Sequence, residues 1–547
     1  MRQRHRPRAV SYSPVTRRFR EVLAAHAEAE RRGIPVDEVA AERRELSEER
    51  RLSRARLLAE ATAAGMALAG AGMLSKTARA ASTARVAIVG AGLAGIRCAH
   101  RLWTGGSRVA STVYEADTTH VGGRCWSLRG YFGDGLVAEH GGAFINHDQT
   151  AIRNLAKTFG LKEEIVNGGD LPGGEEIYWF DGEPYTYGEA NSDWSDIGYR
   201  VFQDAYKLAP WPQRHDGNTA EGRRLDLLSV PEWLDETGIG SSSRFGRLLL
   251  ADVVSEYGGD PSDQPALNLL YLLAWNNQNS LEPLPGDDEK YHIVGGNDQL
   301  VSRMVAELPG GSIKQGHELV ALRENGTGTY TLTFQVGNIT TQVIADHVVL
   351  ALPFSTLREV DLSRSGLSPL KVQAIQQLGI GQNAKLHLQV QRKTWPPLGY
   401  AGVSYTDWDA FCVAWDDSVT RGTSGPAILL AFPGGSTGEN VLTGVAHGKA
   451  PRRDVNWFLN QIEPIFPGTS AAYSGLAYED HWSVDPWHRG AYSYWRLGEY
   501  TAFSGYEGVQ EGNIHFAGEH TDPEEQGFLN GAVTSGERAA SEVLHQI

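Results

Sequence analysis

Residues 86–95 read VAIVGAGLAG, and this stretch decides the fold of the chain. The apolar run VAIV is typical of a short buried strand, and a predicted helix begins after the glycines, near Ala94. In such a turn Gly90 permits tight bending, Gly92 lets a pyrophosphate approach the backbone, and Gly95 allows a helix to pack closely on a strand. The stretch therefore predicts a strand–turn–helix unit that binds a dinucleotide.

A second group of residues follows within the same predicted unit. Glu115 ends the next strand, where an acid commonly binds the ribose hydroxyls, although it stands slightly further along the chain than usual. Gly122 and Gly123 allow close backbone approach, and the guanidinium of Arg124 can pair with phosphate. The pattern E-A-x5-G-G-R is what separates a flavin enzyme of the amine-oxidase type from a nicotinamide dehydrogenase. Over about residues 85–547 the chain resembles the flavin-dependent amine oxidase family.

The resemblance implies an α/β fold with two interleaved domains. A Rossmann-type FAD-binding domain with a parallel sheet is expected beside a substrate-binding domain of mixed sheet and helical cap. Helical periodicity in LLSVPEWLDET and PALNLLYLLAW, which begin at Leu227 and Pro265, supports the cap. The predicted FAD-binding domain comprises residues 84–164, 288–368 and 500–547, and the predicted substrate-binding domain comprises residues 165–287 and 369–499.

Several later stretches resemble the family's contacts to FAD. In AEHGGAFI, the pair Gly141 and Gly142 is predicted beside the flavin ring, where any side chain would collide with it. In FAGEH, Glu519 is expected to hydrogen-bond the ribityl or pyrophosphate part. A helix that begins near Asn530 would direct its positive end at the flavin C2 carbonyl. The predicted cofactor contacts here are Gly141, Gly142, Ala143, Phe144, Leu319, Gly518, Glu519, Phe528 and Leu529.

Four residues resemble the family's catalytic residues. Lys385, in KLHLQVQRKTW, is similar to the lysine that holds a water against flavin N5. Trp482 resembles the tryptophan packed beside the flavin, and Tyr492 and Phe528 resemble the two aromatic residues that flank the substrate amine. The residue before Tyr492 is Ala491, at the position where animal monoamine oxidases have a cysteine bound covalently to the flavin. Alanine cannot form that bond, so the resemblance implies non-covalent FAD.

Composition excludes other classes. The chain has 547 residues and a formal net charge of −16, which argues against nucleic-acid partners. Its three cysteines, Cys98, Cys125 and Cys412, are too few for a disulfide scaffold and too irregularly spaced for zinc. We therefore expect the cysteines to be free thiols. The histidines show no metal-ligand spacing either, so no metal site is expected.

The first 80 residues differ from the rest. Arg50 and Arg51, a small apolar run over residues 61–74 and the sequence Ala-Arg-Ala at 78–80 together predict a twin-arginine leader and export. The alternative is a retained, solvated helical extension in a cytoplasmic protein. No stretch reaches the roughly 18 to 20 uninterrupted apolar residues that a membrane-spanning helix needs.

Together these observations predict an FAD-dependent oxidase that removes hydride from the carbon next to an amine, with O₂ as acceptor and H₂O₂ as product. An L-amino-acid oxidase is the alternative, with Arg489 or Arg496 as candidate carboxylate ligands. A flavin desaturase or dehydrogenase is a further one. The cap acids Asp252 and Glu256 either contact the far end of the substrate or are solvated. The expected partners are a small-molecule amine and O₂, with a homodimer left open.

Overall fold

The structure is a computed structural model, and it describes residues 84–104, 106, 108–166, 174–274, 276, 278, 281 and 289–547. The predicted leader, residues 1–80, lies outside the described residues. Among the residues described, no helix is long and apolar enough to cross a bilayer. Cys98, Cys125 and Cys412 are all buried and free, which confirms the prediction of free thiols.

A parallel five-stranded sheet contains the strand that opens the glycine-rich turn. Val86–Val89 lies at its centre and pairs in parallel with strands on both sides. All four of its residues are buried, as expected for a strand covered on both faces. The parallel sheet and the α/β class are therefore confirmed. The strands follow the spatial order Ile514–Phe516, His347–Leu350, Val86–Val89, Ser111–Tyr114 and Ile313–Lys314.

The first and last described helices pack against each other beside this sheet. Leu93–Thr104 follows the glycine-rich turn, and Leu529–Gln546 ends the chain. A Cβ atom on Gly536 would lie only 2.4 Å from the carbonyl oxygen of Ala94, so a glycine is needed where the two helices touch. This contact brings the two ends of the described chain to one place.

An eight-stranded mixed sheet forms the second layer. Its strand Lys385–Val390 is buried at every position and pairs antiparallel with both neighbours. Only Tyr400–Thr406 and Glu175–Phe180 pair in parallel. The spatial order is His447–Lys449, Tyr473–Asp480, Lys385–Val390, Ala427–Phe432, Val413–Asp416, Tyr400–Thr406, Glu175–Phe180 and Glu183–Thr186.

A helical layer covers this sheet, as the periodicity predicted. Val230–Thr237 shows why the local sequence forms a helix: Ser229 and Glu232 make a capping box, and Gly238 ends the helix with a positive φ of 81°. The layer begins after two strands of the sheet, so it is not purely helical. Its helices are Tyr187–Asp193, Trp194–Gly198, Tyr199–Leu208, Ala220–Leu227, Val230–Thr237, Arg244–Tyr257 and Ala266–Leu273.

The remaining elements complete the two layers. A four-stranded sheet has the order Ile339–Ala345, Tyr330–Val336, Glu318–Glu324 and Asp361–Arg364. Three short strand pairs are Ser127–Leu128 with Ala138–Glu139, Glu163–Ile165 with Tyr291–Ile293, and Gly379–Ile380 with Ser493–Tyr494. Further helices are Thr150–Thr158, Gln299–Glu307, Phe354–Leu357, Pro369–Gln377, Gly435–Asn440, Arg452–Ile462, Thr469–Ala472 and Glu499–Ala502. The domain boundaries drawn from the sequence stay a prediction.

Candidate active site

One cavity of about 900 Å³ extends between the two layers. This volume lies in the upper part of the range of about 300–1,000 Å³ that cofactor and ligand sites occupy. We call the part lined by residues beside the five-stranded sheet, which include Gly92 and Glu115, the nucleotide half. The part lined by the eight-stranded sheet and the helical layer is the substrate half. All of the predicted cofactor contacts except Gly95, and all four residues that resemble catalytic residues, line this cavity.

The three predicted glycines of the turn have three different surroundings. A Cβ on Gly90 would lie 2.5 Å from the Ala351 carbonyl oxygen, and its φ is +101°. A Cβ on Gly95 would lie 2.0 Å from the carbonyl oxygen of Gly90. On Gly92 the nearest atom would be 4.0 Å away, so that position faces open space in the cavity. These surroundings match the predicted roles of tight turn, close packing and ligand approach.

Glu115 and Leu319 occupy the same end of the cavity. The carboxylate of Glu115 accepts hydrogen bonds from the backbone N–H groups of Ala91, at 2.6 Å, and Asp117, at 2.9 Å. Burial raises the pKa of Glu115, and these hydrogen bonds oppose the rise. Leu319 is buried in the strand Glu318–Glu324 and lines the cavity together with Val320. Glu115 is thus fixed by the turn that it faces.

Arg124 and Glu519 form an ion pair across the cavity wall, with Nη1 2.9 Å from Oε1. The same nitrogen also donates to the Ala491 carbonyl oxygen. Ser493 and Gly527 donate to the remaining positions of the Glu519 carboxylate. Burial alone would raise the pKa of Glu519, but Arg124, His520 and the hydrogen bonds from Ser493 and Gly527 together outweigh burial and lower it. Glu519 therefore holds Arg124 and two backbone segments in place, and its predicted contact to the cofactor stays a prediction.

The glycine pair after His140 is closely packed by the protein itself, by backbone at Gly141 and by a side chain at Gly142. A Cβ on Gly141 would lie 2.0 Å from the Arg124 carbonyl oxygen, and a Cβ on Gly142 would lie 2.7 Å from Leu529 Cγ. The sequence analysis gave collision with a flavin ring as the reason for both glycines. The structure adds an obstacle within the protein, and the predicted collision with the flavin stays a prediction. The neighbouring Ala143 and Phe144 also line the cavity, and the Phe144 ring lies 5.8 Å from that of Trp415.

Lys385 is buried at the start of its strand and reaches the glycine pair. Its Nζ donates to the carbonyl oxygens of Glu139, at 3.0 Å, and Gly141, at 2.7 Å. Two of the three hydrogens of the ammonium group are thus engaged. Burial lowers the pKa of Lys385, against the attraction of nearby carboxylates that include Asp417 and Asp480. The structure thereby places this amine beside the segment predicted to lie under the flavin ring.

The predicted aromatic pair lines one cavity. The Tyr492 hydroxyl donates to the Ser255 carbonyl oxygen at 2.6 Å, and burial raises its pKa well above the usual value. Phe528 precedes the first turn of Leu529–Gln546, and its side chain gives that helix no capping hydrogen bond. The helix begins one residue before the predicted start. Its first-turn N–H groups therefore remain available to an electron-rich group in the cavity.

Trp482 packs on histidine rings beneath this site. Its Nε1 donates to the His140 carbonyl oxygen at 3.1 Å, and its ring centroid lies 4.5 Å from that of His447. The Trp126 ring stacks on the His140 ring, and their centroids lie 3.9 Å apart. These contacts fix the backbone immediately before Gly141.

Sequence reasoning missed a buried network centred on Asp480. His140 and His447 place their Nδ1 atoms 2.6 and 2.7 Å from Asp480 Oδ1, and His387 Nε2 lies 3.3 Å from Oδ2. The second nitrogen of His447 lies 2.8 Å from Asp485 Oδ2. Burial alone would lower the pKa of His447, but the two aspartates outweigh burial and raise it to about 9. His447 is therefore a cation held between two carboxylates.

The distances in this network identify hydrogen bonds. His140, His447 and Asp480 present donor atoms within 4.8 Å of one another, which is the kind of cluster that can hold a metal ion. Two ligands of a tetrahedral zinc, however, stand about 3.3 Å apart, given bonds of about 2.0–2.1 Å. Both Nδ1 atoms lie much closer than that to a single oxygen, at the distance of a charge-assisted hydrogen bond. The absence of a metal site stays a prediction.

Two acids named in the helical cap have different surroundings. Asp252 is almost completely buried, with 1% exposure, whereas Glu256 lines the cavity. Glu176, at the start of Glu175–Phe180, also lines it and was not singled out from the sequence. Both glutamates belong to the substrate half.

The nucleotide half fits a bound dinucleotide on two observations. Gly92 presents backbone without a side chain to an open part of the cavity. His520 also lines the cavity, and within the described part of the chain neither of its buried ring nitrogens has a hydrogen-bond partner. Burial lowers the pKa of His520 to about 3, so the ring is neutral and can donate to or accept from a bound group.

Comparison with known proteins agrees with this geometry. Residues 93–544 match the family model described as flavin containing amine oxidoreductase. The chain is 25% identical to an L-amino acid dehydrogenase of Synechocystis sp. over 84% of its own length and 94% of that protein. It is 26% identical to a putative flavin-containing monoamine oxidase of Mycobacterium tuberculosis, covering 84% of this chain and 96% of the other.

A similar fold occurs in a solved structure of a putrescine oxidase triple mutant. That structure matches with a TM-score of 0.70 and 23% identity, and the match covers 85% of this chain and 99% of the other. At this identity the likeness concerns the fold alone. The family match over most of the chain is the stronger finding, and it confirms both the resemblance and the cofactor. The chain belongs to the family of flavin-containing amine oxidoreductases and is an FAD-dependent enzyme.

Proposed function

We propose that this enzyme is an amine oxidase that removes hydride from the carbon next to an amine and uses O₂ as the electron acceptor. The product is an imine that hydrolyses to an aldehyde, and the reduced acceptor is H₂O₂. One observation carries the proposal: the cavity that contains the glycine-rich turn also contains Tyr492, Phe528 and Lys385. Cofactor contacts and amine-flanking rings therefore share one enclosed space.

Each of these side chains has a role that follows from its surroundings. Tyr492 and Phe528 provide an apolar slot that excludes water and favours an uncharged amine, whose lone pair supports loss of hydride. Bound FAD supplies the acceptor for that hydride. Lys385 is fixed by two carbonyl oxygens and offers its remaining N–H to a water molecule.

We further propose that FAD is held without a covalent bond. Ala491 lines the cavity and has no nucleophilic atom. Arg124 donates to its carbonyl oxygen, so this backbone is already fixed by the protein. Acid precipitation should therefore release all of the flavin into the supernatant.

An L-amino-acid oxidase is the second candidate, and the 25% identity to an L-amino acid dehydrogenase favours it. Such an enzyme needs a cation for the substrate carboxylate. Arg489 pairs with Glu359 at 2.8 Å, and Arg496 pairs with Glu499 at 3.3 Å. Both arginines are thus engaged, and the residues after Gly142 provide no other. These contacts favour the amine.

One experiment separates the candidates. The purified enzyme is mixed with each amino acid and with the amine that decarboxylation of that amino acid gives, and H₂O₂ is measured with a coupled peroxidase. We expect peroxide from amines and little from amino acids. The reverse pattern would identify an amino-acid oxidase. Bleaching of the flavin by amines without peroxide, together with rapid dye reduction, would identify a dehydrogenase.

We also propose export by the twin-arginine route. The support is the arginine pair at residues 50 and 51, followed by the apolar run and Ala-Arg-Ala. Expression of the full chain, followed by N-terminal sequencing of the extracellular or periplasmic fraction, tests the proposal. A mature N-terminus near residue 81 is expected, and recovery of the uncut chain in the cytoplasm would contradict export.

A further inference from the structure

The substrate half has more carboxylates than cations. Glu176, Glu256 and Asp417 line the cavity, and they come from a strand, a helix and the loop that follows another strand. The lysine and arginine side chains that line the cavity are Arg124, Lys385 and Arg489. Arg124 and Arg489 are paired with Glu519 and Glu359. Of the described lysines and arginines that line the cavity, this leaves Lys385 to balance the carboxylates of this half.

Glu256 lies beside the aromatic slot. It belongs to the last turn of Arg244–Tyr257, and the carbonyl oxygen of the preceding Ser255 accepts the Tyr492 hydroxyl. Among the described residues none donates a hydrogen bond to its carboxylate, and burial raises the pKa of Glu256 to about 7. The C-terminal end of a helix adds negative potential at the same place. This position attracts a cation.

Glu176 provides a second carboxylate on a different wall. Its Oε2 accepts only a long hydrogen bond, at 3.3 Å, from the Tyr178 hydroxyl, and burial raises its pKa. Two of the undescribed internal segments, residues 167–173 and 282–288, also offer no cationic side chain. Their sequences, NGGDLPG and EPLPGDD, contain no lysine, arginine or histidine. Among the described residues, two half-buried carboxylates therefore face the cavity without a cationic partner.

Aromatic rings form another wall of the substrate half. Trp495 and Tyr500 lie with ring centroids 4.6 Å apart, and Trp211 lies 5.0 Å from Tyr271. All four residues line the cavity. Aromatic faces attract ammonium groups, and the attraction is stronger where water is excluded. The rings and the carboxylates thus favour the same kind of ligand.

We propose that the preferred substrate is a di- or polyamine, whose unreacting ammonium groups are bound by Glu256 and Glu176. This inference rests on the proposed amine oxidase function. Buried carboxylates are unfavourable unless they are paired, and a ligand with a single amine, which must be neutral to react, would leave both unpaired. A second ammonium on the substrate supplies the missing charge.

The test compares α,ω-diamines with n-alkylamines of the same chain length in the complete, FAD-loaded enzyme. We expect the best diamine to exceed its matched monoamine in kcat/KM by at least about tenfold, the gain typical of one well-placed charge contact. The diamine kcat/KM should also fall more steeply with ionic strength than the monoamine value. Both measurements use the wild-type protein, so they hold even where a variant fails to fold.

Substitutions then assign the carboxylates. Glu256→Gln and Glu176→Gln should each lower kcat/KM for the diamine about tenfold and change the monoamine value by less than about threefold. Glu183→Gln is the control, because Glu183 is exposed at the other end of the same hairpin, where it pairs with Arg244. It should leave both values unchanged.

Equal kcat/KM for matched monoamines and diamines in the wild type would overturn this inference and leave the amine oxidase proposal intact. So would equal losses on both substrates in both glutamine variants. Absence of turnover with every amine would instead overturn the proposed function.

Discussion

The two halves of the cavity differ in how their polar groups are satisfied. In the nucleotide half, Glu115 and Glu519 receive hydrogen bonds from backbone and side chains of the protein itself. In the substrate half, Glu176 and Glu256 have no cationic partner among the described residues. The nucleotide half is therefore organised before anything binds, while the substrate half depends on its ligand for charge balance.

The Asp480 network lies outside the residues that line the cavity. Breaking this network should have the largest effect on stability. His447→Ala removes the cation between Asp480 and Asp485, so that both carboxylates lose the charged partner they share. We expect a loss of about 3–5 kcal/mol in the free energy of unfolding, the usual cost of removing one partner of a buried ion pair. Urea titration of the FAD-loaded enzyme measures this loss. His481→Ala is the control, since His481 is buried but outside the network, and it should cost clearly less.

The same network predicts a dependence of stability on pH. The pKa of His447 is raised from 6.5 to about 9 in the folded protein. A raised pKa stabilises the folded state fully below the unfolded value, and this stabilisation is lost as pH rises through the folded value. The wild-type free energy of unfolding should therefore fall between about pH 6.5 and pH 9. In His447→Gln that fall should be much smaller. An equal fall in both proteins would show that other groups titrate.

Gly92 tests the nucleotide half with the next largest effect. A side chain at this position points into the open cavity, so Gly92→Val should weaken FAD binding at least about 100-fold with little change in folding. Gly217→Val is the control, because Gly217 also has no atom within 4 Å but lies outside the cavity. Flavin fluorescence during titration of the apoprotein gives both affinities. Unchanged affinity in Gly92→Val would remove this turn from the cofactor site.

The nucleotide half could be predicted from sequence because its geometry is local. Gly90, Gly92 and Gly95 lie within one turn; backbone packing restricts Gly90 and Gly95 to glycine, and Gly92 leaves room for a ligand. The substrate half could not be predicted in the same way. Asp252 and Glu256 stand one helical turn apart, on the same face, so periodicity could not tell the buried acid from the one that lines the cavity. Only the packing of the helix against the sheet separates them.

The Asp480 network shows the same limit. His140 stands inside a motif that the sequence analysis quoted, yet its partners Asp480 and His447 come from strands that follow hundreds of residues later. No spacing rule connects them, because the strands of the eight-stranded sheet are paired out of chain order. The pairing of strands in the folded protein brings these three residues together, and no sequence pattern predicts that pairing.

Lys385 lies where the nucleotide half and the substrate half of the cavity meet. Its predicted role in the reaction with O₂ can be tested separately from substrate oxidation. Lys385→Met should slow the reaction of the reduced enzyme with O₂ by about tenfold to hundredfold. The substitution removes the buried amine that would stabilise the negative charge developing on O₂ as it is reduced. Reduction by substrate should change less than about threefold. Stopped-flow measurement of the two half-reactions separates these rates.

Lys371→Met provides a closely matched control for that change. Lys371 is also buried, and its Nζ also donates to two carbonyl oxygens, those of Tyr506 and Glu507, but it lies outside the cavity. It should lower stability and leave the oxygen reaction unaltered. Slow reoxidation in both variants would mean that lost packing, and not the position of Lys385, explains the effect.

The smallest expected effect separates the ring of Tyr492 from its hydroxyl. Tyr492→Phe removes the hydrogen bond to the Ser255 carbonyl oxygen, which should lower the free energy of unfolding by about 0.5–1.5 kcal/mol. Because the proposed slot uses only the ring, kcat/KM for amines should stay within about threefold of the wild type. Tyr131→Phe removes a similar bond, to Ala477, outside the cavity and should match it in stability. If Tyr492→Phe alone abolished turnover, the hydroxyl would act on the substrate, and the slot would be polar where we describe it as apolar.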